Sequence, residues 1–350
     1  MLKLDFIGGS WLRIKNFDVY NNIVCISEKS VIEEYDPIYY YNNPIPPDII
    51  NEILGDSVNT QQYIFIHNLF LSLDYKNTEQ LLRWIERFGT LNRFAKDDSE
   101  DDYISPSTEP LFDELPENLI NEDGELLNPS LKPVSSLIEF KEEISIMKFI
   151  VNAVNIIKNK YQGIEAFTND YLSNVELIET LYYYGFFDFL YEKVPNLPSA
   201  SFSPDVSTYD KIQTELPNAN YVKDIEPIFN AFRRCKLRNF AKIASKQLGN
   251  QFLDQIVECF FSIKLSAISP EIKINNGKIS FNFSNNSLIG LIYFFLSLDI
   301  AGDIIPRKCS AKGCNRHFIP TREDAIYCSD TCKNRAKQQR HRDKKKRTIR

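Results

Sequence analysis

The sequence predicts an α+β protein with a predominantly helical body, small antiparallel hairpins and a short cysteine-rich segment at the C-terminal end. Apolar residues recur at three- and four-residue steps in several long segments, which is the pattern of helices with one buried face. Residues 271–283 instead alternate about Asn276 and Gly277, a dipeptide typical of hairpin turns. Four of the seven cysteines lie within the last 44 of the 350 residues.

Residues 1–96 are expected to form an N-terminal α+β region. Short apolar runs at 4–7, 12–15 and 23–27 predict strands, and three prolines between positions 44 and 47 are expected to interrupt the chain after them. The first 60 residues of this region are therefore interpreted as strands and loops.

A helix is predicted between Asn77 and Gly89. Asn77 is a suitable N-cap with Gln80 three residues later, and Gly89 is a suitable terminator. Trp84 within this helix is expected in the core. The isolated His67 is interpreted as a core or surface histidine rather than a catalytic one, because it has no partner within a helical turn.

Residues 131–306 are expected to form a mainly helical domain with a hairpin near 271–283. Its helices are predicted at residues 134–160, 175–191, 225–248, 252–265 and 287–300. The second of these carries seven aromatic residues, for which core packing is favoured over a ligand pocket. The third carries six Lys and Arg, interpreted as a solvated face with a second phosphate-contacting surface as the alternative. Three prolines at 194–205 predict a boundary within this domain.

The segment between these two regions, residues 97–130, is strongly acidic. It contains 12 Asp and Glu and no Lys or Arg, together with four prolines. Such a composition buries too little apolar area to offset the entropy of ordering, so a mobile linker or a partly ordered loop is expected. The alternative is a nucleic-acid mimic that masks the basic end of the chain.

The cytoplasm is the expected compartment. The chain start lacks the sustained apolar run of a signal peptide, and the longest apolar stretch, 288–298, is shorter than the roughly 18 to 20 residues that cross a bilayer. Cys25, Cys235 and Cys259 are scattered and odd in number, as expected of reduced buried thiols. Glycine loops, paired His and carboxylate spacings and nucleophile motifs are missing from the sequence, so we do not expect an enzyme.

The remaining cysteines, Cys309, Cys314, Cys328 and Cys332, form two close pairs. Four residues separate the members of the first pair, thirteen separate the pairs, and three separate the members of the second pair. Two such pairs can supply the four sulfurs of a tetrahedral zinc site, each about 2.3 Å from the metal. The sequence therefore predicts one structural Zn²⁺ in a zinc-ribbon-like finger.

Local residues fit this finger. Gly313 permits a tight turn that directs backbone N–H groups at a thiolate. Residues 318–319 and 326–327, joined by a polar turn, are predicted to form a small hairpin. Ser329 is a suitable N-cap for a following helix that includes Cys332. His317 and His341 are spare ligands, since four sulfurs already fill a tetrahedron.

The order of these cysteines and the residues after them resembles the CGNR zinc finger of bacterial stress-induced transcription regulators. Cys332, Asn334 and Arg335 match its Cys-Gly-Asn-Arg motif, and Lys333 stands where that family has Gly. The resemblance covers residues 307–350. It implies a DNA-binding transcription regulator whose helical body binds a small-molecule effector or forms a homodimer.

The chain ends in a basic helix, predicted from Asp330. Residues 307–350 contain 15 Lys and Arg against four Asp and Glu, a net charge of +11, whereas the other 306 residues carry −17. Few apolar residues follow Ala336, so this helix cannot be held by burial and favours a polyanionic partner. The expected nucleic-acid contacts are Lys333, Arg335, Lys337, Arg340, Arg342, Lys344, Lys345, Lys346 and Arg347.

Two roles are open for the polar residues at the start of this helix. Asn334, Arg335, Gln338 and Gln339 are residue types that pair with base edges in a major groove. Asn334 and Arg335 also lie within one turn of Cys332, which favours a role in bracing the metal site.

We therefore expect a zinc-dependent nucleic-acid-binding protein that contacts duplex DNA and no membrane. The first alternative is an RNA- or protein-interaction module with the same structural zinc, because four-cysteine fingers serve all three partners. The second is a nucleic-acid-processing enzyme that the finger targets. The basic tail favours nucleic acid over protein.

Overall fold

The computed structural model of the chain describes most of the N-terminal region, the helices of the body and nearly all of the C-terminal segment. The described residues are 5–7, 11–35, 43–55, 64–91, 95–96, 103–104, 115, 119, 132–167, 226–266, 268–275, 278–285, 287–314, 316–320, 322 and 324–348. In these residues the protein is mixed α+β, with long helices and small sheets, as the sequence predicts.

The described helices are numbered in chain order. They are α1 (Pro47–Leu54), α2 (Ile66–Ser72), α3 (Thr78–Phe88), α4 (Leu137–Lys158), α5 (Glu226–Leu248), α6 (Gln251–Leu265), α7 (Leu288–Ala301) and α8 (Asp330–Thr348). The predicted helices at 134–160, 225–248, 252–265 and 287–300 are confirmed as α4, α5, α6 and α7. None of the described helices is both long enough and apolar enough to cross a membrane.

The strands form several small sheets. They are β1 (Asp5–Ile7), β2 (Trp11–Lys15), β3 (Asp18–Tyr20), β4 (Ile23–Ile26), β5 (Val31–Tyr35), β6 (Ala95–Lys96), β7 (Tyr103–Ile104), β8 (Lys132–Ser136), β9 (Ile268–Asn275), β10 (Lys278–Asn285), β11 (Arg307–Lys308) and β12 (His317–Phe318). The antiparallel pairs are β2 with β5, β4 with both β3 and β8, β6 with β7, β9 with β10, and β11 with β12.

The predicted hairpin at 271–283 is confirmed as β9 and β10. Their register pairs Lys278 with Asn275, and the predicted turn residues Asn276 and Gly277 lie outside the described residues. β1 joins the same sheet in parallel with β10, with Phe6 opposite Phe283. This parallel pair was not predicted, because it joins segments more than 270 residues apart and leaves no local pattern in the sequence.

Two short helices near the N-terminus were not predicted: α1 corrects the prediction of strands and loops before residue 60, and α2 follows that region. α1 begins at Pro47, a position at which proline is well tolerated because the first helical N–H has no intrahelical partner. Three isoleucines then recur at helical spacing on the buried face of α1: Ile49, Ile50 and Ile53. α2 was missed because every residue from Ile66 to Ser72 is buried, so it has no polar face and no periodicity.

The helix predicted from Asn77 is confirmed as α3. The Asn77 side chain accepts a hydrogen bond from the Gln80 backbone N–H at 3.3 Å, and Gly89 at the C-cap adopts a φ of +82°. Trp84 is fully buried, with its ring centroid 5.1 Å from that of Phe70 on α2. The α2 and α3 faces therefore share one aromatic core, as predicted for Trp84.

The chain divides into two compact units. One unit contains Met1–Val151 and Lys264–Arg350, and the other contains Asn152–Ile263. The predicted domain boundaries at 96, 130 and 306 stay predictions. The first unit joins the two ends of the chain through the β1–β10 pair and through packing of α2 on α7 and β12.

Several predicted features lie outside the described residues. These are the aromatic helix at 175–191, the proline-rich boundary at 194–205, nearly all of the acidic segment at 97–130, and the side chain of Cys235. Cys25 and Cys259 are buried and free of disulfides, as predicted, and burial raises the pKa of each to about 12.

His67 is buried, in agreement with its interpretation as a core histidine. Its Nε2 atom lies 2.7 Å from Asp299 Oδ2 of α7 and 2.7 Å from Asn68 Nδ2. Only 1% of the His67 side chain is exposed, so this pair stabilises the contact between α2 and α7 inside the first unit. The partner lies 232 residues away, which is why the sequence shows the histidine as isolated.

A second buried polar cluster in the first unit is formed by Glu143, Lys264 and Tyr293. Glu143 of α4 forms an ion pair with Lys264 of α6, and the Tyr293 hydroxyl of α7 donates to Glu143 Oε2 at 2.8 Å. The Lys264 Nζ atom also lies 5.3 Å from the Tyr293 ring centroid. Glu143 is 3% exposed and Tyr293 is fully buried, so water has little access to their polar atoms. Their contacts with one another and with Lys264 replace part of the hydration that burial removes.

Candidate metal centre

A two-stranded hairpin carries the first cysteine pair. β11 and β12 place Lys308 opposite His317, and the Cys309 N–H donates to the Arg316 carbonyl at 2.9 Å. Gly313 has a φ of +76° in the connecting turn, the left-handed region that glycine adopts without strain. The chain therefore reverses its direction in the turn between Cys309 and Cys314.

This hairpin differs from the predicted one. Phe318 was expected to pair across a polar turn with residues 326–327, but it belongs to β12 and pairs with Arg307. Residues 326–327 are not in a strand, and the Ile326 carbonyl instead accepts from the Ser310 N–H at 2.9 Å. The apolar pattern identified one strand correctly and its partner wrongly, because two-residue strands are too short to show an alternation.

The second cysteine pair lies at the start of α8. Ser329 caps this helix as predicted: its Oγ atom accepts from the Cys332 N–H at 3.2 Å, and its carbonyl accepts from the Lys333 N–H at 3.0 Å. Cys328 and Cys332 are thus next to the positive end of the helix dipole, which favours anionic sulfur.

The four sulfurs converge to one point, as the spacing predicts. All four Sγ atoms, from Cys309, Cys314, Cys328 and Cys332, lie within 4.8 Å of one another. The Cys314–Cys328 and Cys328–Cys332 separations are 3.8 and 3.5 Å. A regular tetrahedron of sulfurs about 2.3 Å from a central metal has edges of about 3.8 Å. This cluster could therefore hold one metal ion.

The thiols of this cluster differ in acidity: the hydrogen bond between Cys314 and Cys328 favours a thiolate at Cys314 and raises the pKa of Cys328, which burial raises further. A hydrogen bond from Cys328 lowers the pKa of Cys314 to about 5, with a further contribution from the Arg316 backbone N–H and with burial acting in the opposite direction. Burial raises the pKa of Cys309, opposed by the backbone N–H groups of Cys328 and Ala311. Four thiolates at this separation repel one another, so complete ionisation requires a cation.

The apolar support of the cluster is small. Ala311 and Phe318 are buried beside Cys309 and Cys332, with Tyr327 packed at the edge. A core of this size cannot hold a fold by hydrophobic burial alone, so we expect the bound metal to supply most of the stability of this segment.

The metal centre is attached to the body by a contact that the sequence does not reveal. Ser72 Oγ, at the end of α2, lies 2.9 Å from the His317 carbonyl oxygen and 2.7 Å from that of Asn68. The Ser72–His317 contact spans 245 residues, so no local signal identifies Ser72. This contact orients β12, and hence the first cysteine pair, against α2.

The two histidines of the segment are not part of the four-sulfur cluster. His317 is 5% exposed, and its ring nitrogens have no hydrogen-bond partner among the described residues. Burial, with the nearby charges of Lys148 and Lys308, lowers the pKa of His317 to about 3. The ring is therefore neutral at physiological pH. His341 lies on α8 and is exposed.

The basic helix is exposed, as predicted from its lack of apolar residues. Five of its predicted nucleic-acid contacts are exposed: Lys333, Arg335, Lys337, Arg340 and Arg342. Within the described part of the chain, no carboxylate lies within 4.0 Å of any of these five cationic groups. The backbone of α8 continues to Thr348, and the side chains of Lys344, Lys345, Lys346 and Arg347 lie outside the described set.

Asn334 and Arg335 do not brace the metal site, contrary to the interpretation favoured by the sequence. Both are exposed, and neither side chain forms a hydrogen bond to a described residue. The helix register explains this result for Asn334, which is rotated by about 200° from Cys332, whereas Arg335 lies only about 60° from Cys332 and its long side chain is nevertheless exposed. The structure thus leaves both side chains directed to solvent.

No protein-family model, curated protein or solved structure matches this chain. The resemblance to the CGNR finger therefore stays a prediction, and the function is argued from the residues of the site.

Proposed function

We propose that this chain is a zinc-dependent nucleic-acid-binding protein that contacts duplex DNA through α8 and regulates transcription. The observation that carries the proposal is a 19-residue basic helix that begins at the four-sulfur cluster and has no described carboxylate partner for its exposed cations. Transcription regulation rests on the resemblance to the CGNR finger.

The donor set favours zinc. Four thiolates in a tetrahedron suit Zn²⁺ or iron–sulfur chemistry, and two close pairs that share one point fit a single ion. With all four protein ligands supplied, such a site has no open position for water, so its role is structural. Cys309, Cys314, Cys328 and Cys332 would hold the ion, which would stiffen the base of α8.

The charge distribution favours a polyanion. If the four thiolates bind one Zn²⁺, residues 307–350 still carry about +9. α8 is about 28 Å long, which is comparable with one turn of a DNA duplex. Its cationic side chains repel one another, and phosphates that neutralise them relieve this repulsion. About six phosphate contacts would give a slope near −5 for log affinity against log salt concentration.

The proposal predicts that neutralising one stripe of α8 reduces the salt dependence of duplex binding. In the triple variant Lys333→Gln, Lys337→Gln, Arg340→Gln, three phosphate contacts are lost, so the slope should fall in magnitude by about 3. Fluorescence anisotropy with a labelled random-sequence duplex, measured from low to high salt, gives this slope directly.

A matched control exists on α5. Arg238, Lys242 and Lys246 are also exposed cations spaced along one helix. Their triple replacement by Gln should leave the slope unchanged. If this control variant loses the salt dependence and the α8 variant keeps it, α5 is the contact surface and the proposal is wrong. Stronger binding to RNA than to duplex DNA in the same assay would support the RNA-binding alternative.

A further inference from the structure

The surface of α8 is divided into stripes that follow the helix register. Cys332, Ala336, Gln339 and Asp343 recur at three- and four-residue steps on one side. Cys332 is buried, Ala336 and Gln339 are half-buried, and Gln339 Nε2 donates to Asp343 Oδ1 at 3.0 Å. This side includes Cys332 of the four-sulfur cluster. Its only acid, Asp343, already accepts a hydrogen bond from Gln339 on the same side. This side is therefore the least available to a partner.

Between residues 333 and 343, the side of α8 opposite Cys332 carries uncharged hydrogen-bonding groups, and the backbone register places Lys345 in the same direction further along the helix. Asn334, Gln338 and His341 recur at steps of four and three residues, and at about 100° per residue their common direction lies about 160° from that of the Cys332 side. All three are exposed, and none forms a side-chain hydrogen bond to a described residue. Their donors and acceptors are therefore available to an external partner.

Cations flank this polar stripe on both sides. Lys333, Lys337 and Arg340 lie about 100° to one side of it, and Arg335 and Arg342 lie about 80° to the other side. A helix in a DNA major groove has base edges in front of it and a phosphate backbone on each side. Around residues 333–343 of α8, the order cation, polar group, cation matches that arrangement, whereas binding to phosphates alone does not require an uncharged stripe between two charged ones.

We propose that Asn334 and Gln338 read adenine edges in the major groove of duplex DNA, a specificity that rests on the proposed function. A side-chain carboxamide can accept from adenine N6–H and donate to N7 at the same time. The two residues are four positions apart, about 6 Å along the helix, which corresponds to about two base-pair steps. The target site therefore contains two adenines within about two steps of each other.

The same geometry selects DNA over duplex RNA. The major groove of A-form RNA is deep and too narrow to admit side chains on a helix, so base edges are not accessible to Asn334 and Gln338 there. Contacts from the cationic stripes to phosphates would remain. Binding to duplex RNA should therefore be salt-dependent and independent of sequence.

The test is selection of bound duplexes from a random DNA pool with the full-length protein and single alanine variants. The wild-type protein should enrich a site with two preferred adenines. Asn334→Ala should remove the preference at one of these positions and Gln338→Ala at the other, each lowering discrimination by about 5- to 150-fold without changing the salt slope. Gln339→Ala, on the Cys332 side, should keep both preferences.

Folding is not at risk in these variants, because both side chains are exposed and alanine favours helix; metal content and circular dichroism verify this. Salt-dependent binding without any sequence preference, or a preference that survives both alanine changes, would overturn the inference while leaving the proposed function in place. If the wild-type protein does not bind duplex DNA at any salt concentration, both the inference and the proposed function are wrong.

Discussion

Cys328→Ser is expected to release the metal and to abolish tight duplex binding while the helical body stays folded. Cys328 Sγ is 3.8 Å from Cys314 Sγ and 3.5 Å from Cys332 Sγ, so its loss removes one of the four vertices of the tetrahedron. A serine hydroxyl does not ionise at neutral pH and is a poor zinc ligand. Structural zinc sites in small fingers have apparent binding free energies of about 10–16 kcal/mol, so removal of one ligand should reduce metal affinity by several orders of magnitude.

The measurement is metal content by elemental analysis, with duplex binding and far-ultraviolet circular dichroism on the same sample. Cys259→Ala is the matched control, because Cys259 is a buried thiol of α6 whose pKa is raised to about 12 by burial. This control should retain one metal per chain. A Cys328→Ser protein that holds one metal per chain with wild-type affinity would show that this sulfur is not a ligand.

Glu143→Met is expected to destabilise the protein by about 3–5 kcal/mol, the largest effect we expect from a single substitution in the body. Glu143 is 3% exposed, and the Lys264 ammonium and the Tyr293 hydroxyl both use its carboxylate. Methionine has a similar volume, so the change removes the charge without creating a large cavity. The Lys264 charge is then left in an apolar environment with its main partner missing.

Chemical denaturation followed by circular dichroism measures this loss. The double variant Glu143→Met, Lys264→Met should be more stable than the Glu143→Met single variant, because the ammonium that has lost the Glu143 carboxylate is then also removed. A single variant within about 1 kcal/mol of the wild type would mean that the ion pair and the Tyr293 hydrogen bond contribute little to stability.

Features with a local cause were predictable from the sequence. Asn77 and Ser329 cap helices as predicted, because a side-chain oxygen next to a helical segment satisfies an N–H group that has no other partner. The β9–β10 hairpin follows from its alternation and its Asn-Gly turn. The four-cysteine cluster follows from spacing alone, since two close pairs can meet at one ion whatever the rest of the chain does.

Features that depend on distant parts of the chain were not predictable. α2 is buried on every side, so its identity as a helix is decided by the elements around it. The pairing of His67 with Asp299 and the contact of Ser72 with the His317 carbonyl span more than 230 residues each. Such contacts require a known fold, because their partners share no sequence pattern.

The four-sulfur cluster and α8 also combine features that the sequence predicts with features that it does not. The spacing of the cysteines identified the four sulfurs. The roles of Asn334 and Arg335 instead depended on how α8 is oriented at the four-sulfur cluster. Proximity to Cys332 in sequence favoured bracing, but both side chains are exposed, and the helix register places Asn334 on the side opposite Cys332. That exposure makes Asn334 available to a partner.

The central claim is that four sulfurs hold one zinc ion at the base of a free cationic helix. X-ray absorption spectroscopy at the zinc edge of the purified full-length protein tests it most directly. We predict one zinc per chain with four sulfur neighbours at about 2.3 Å. A coordination sphere that requires nitrogen from His317, or a natively purified protein that contains no zinc, would contradict the account.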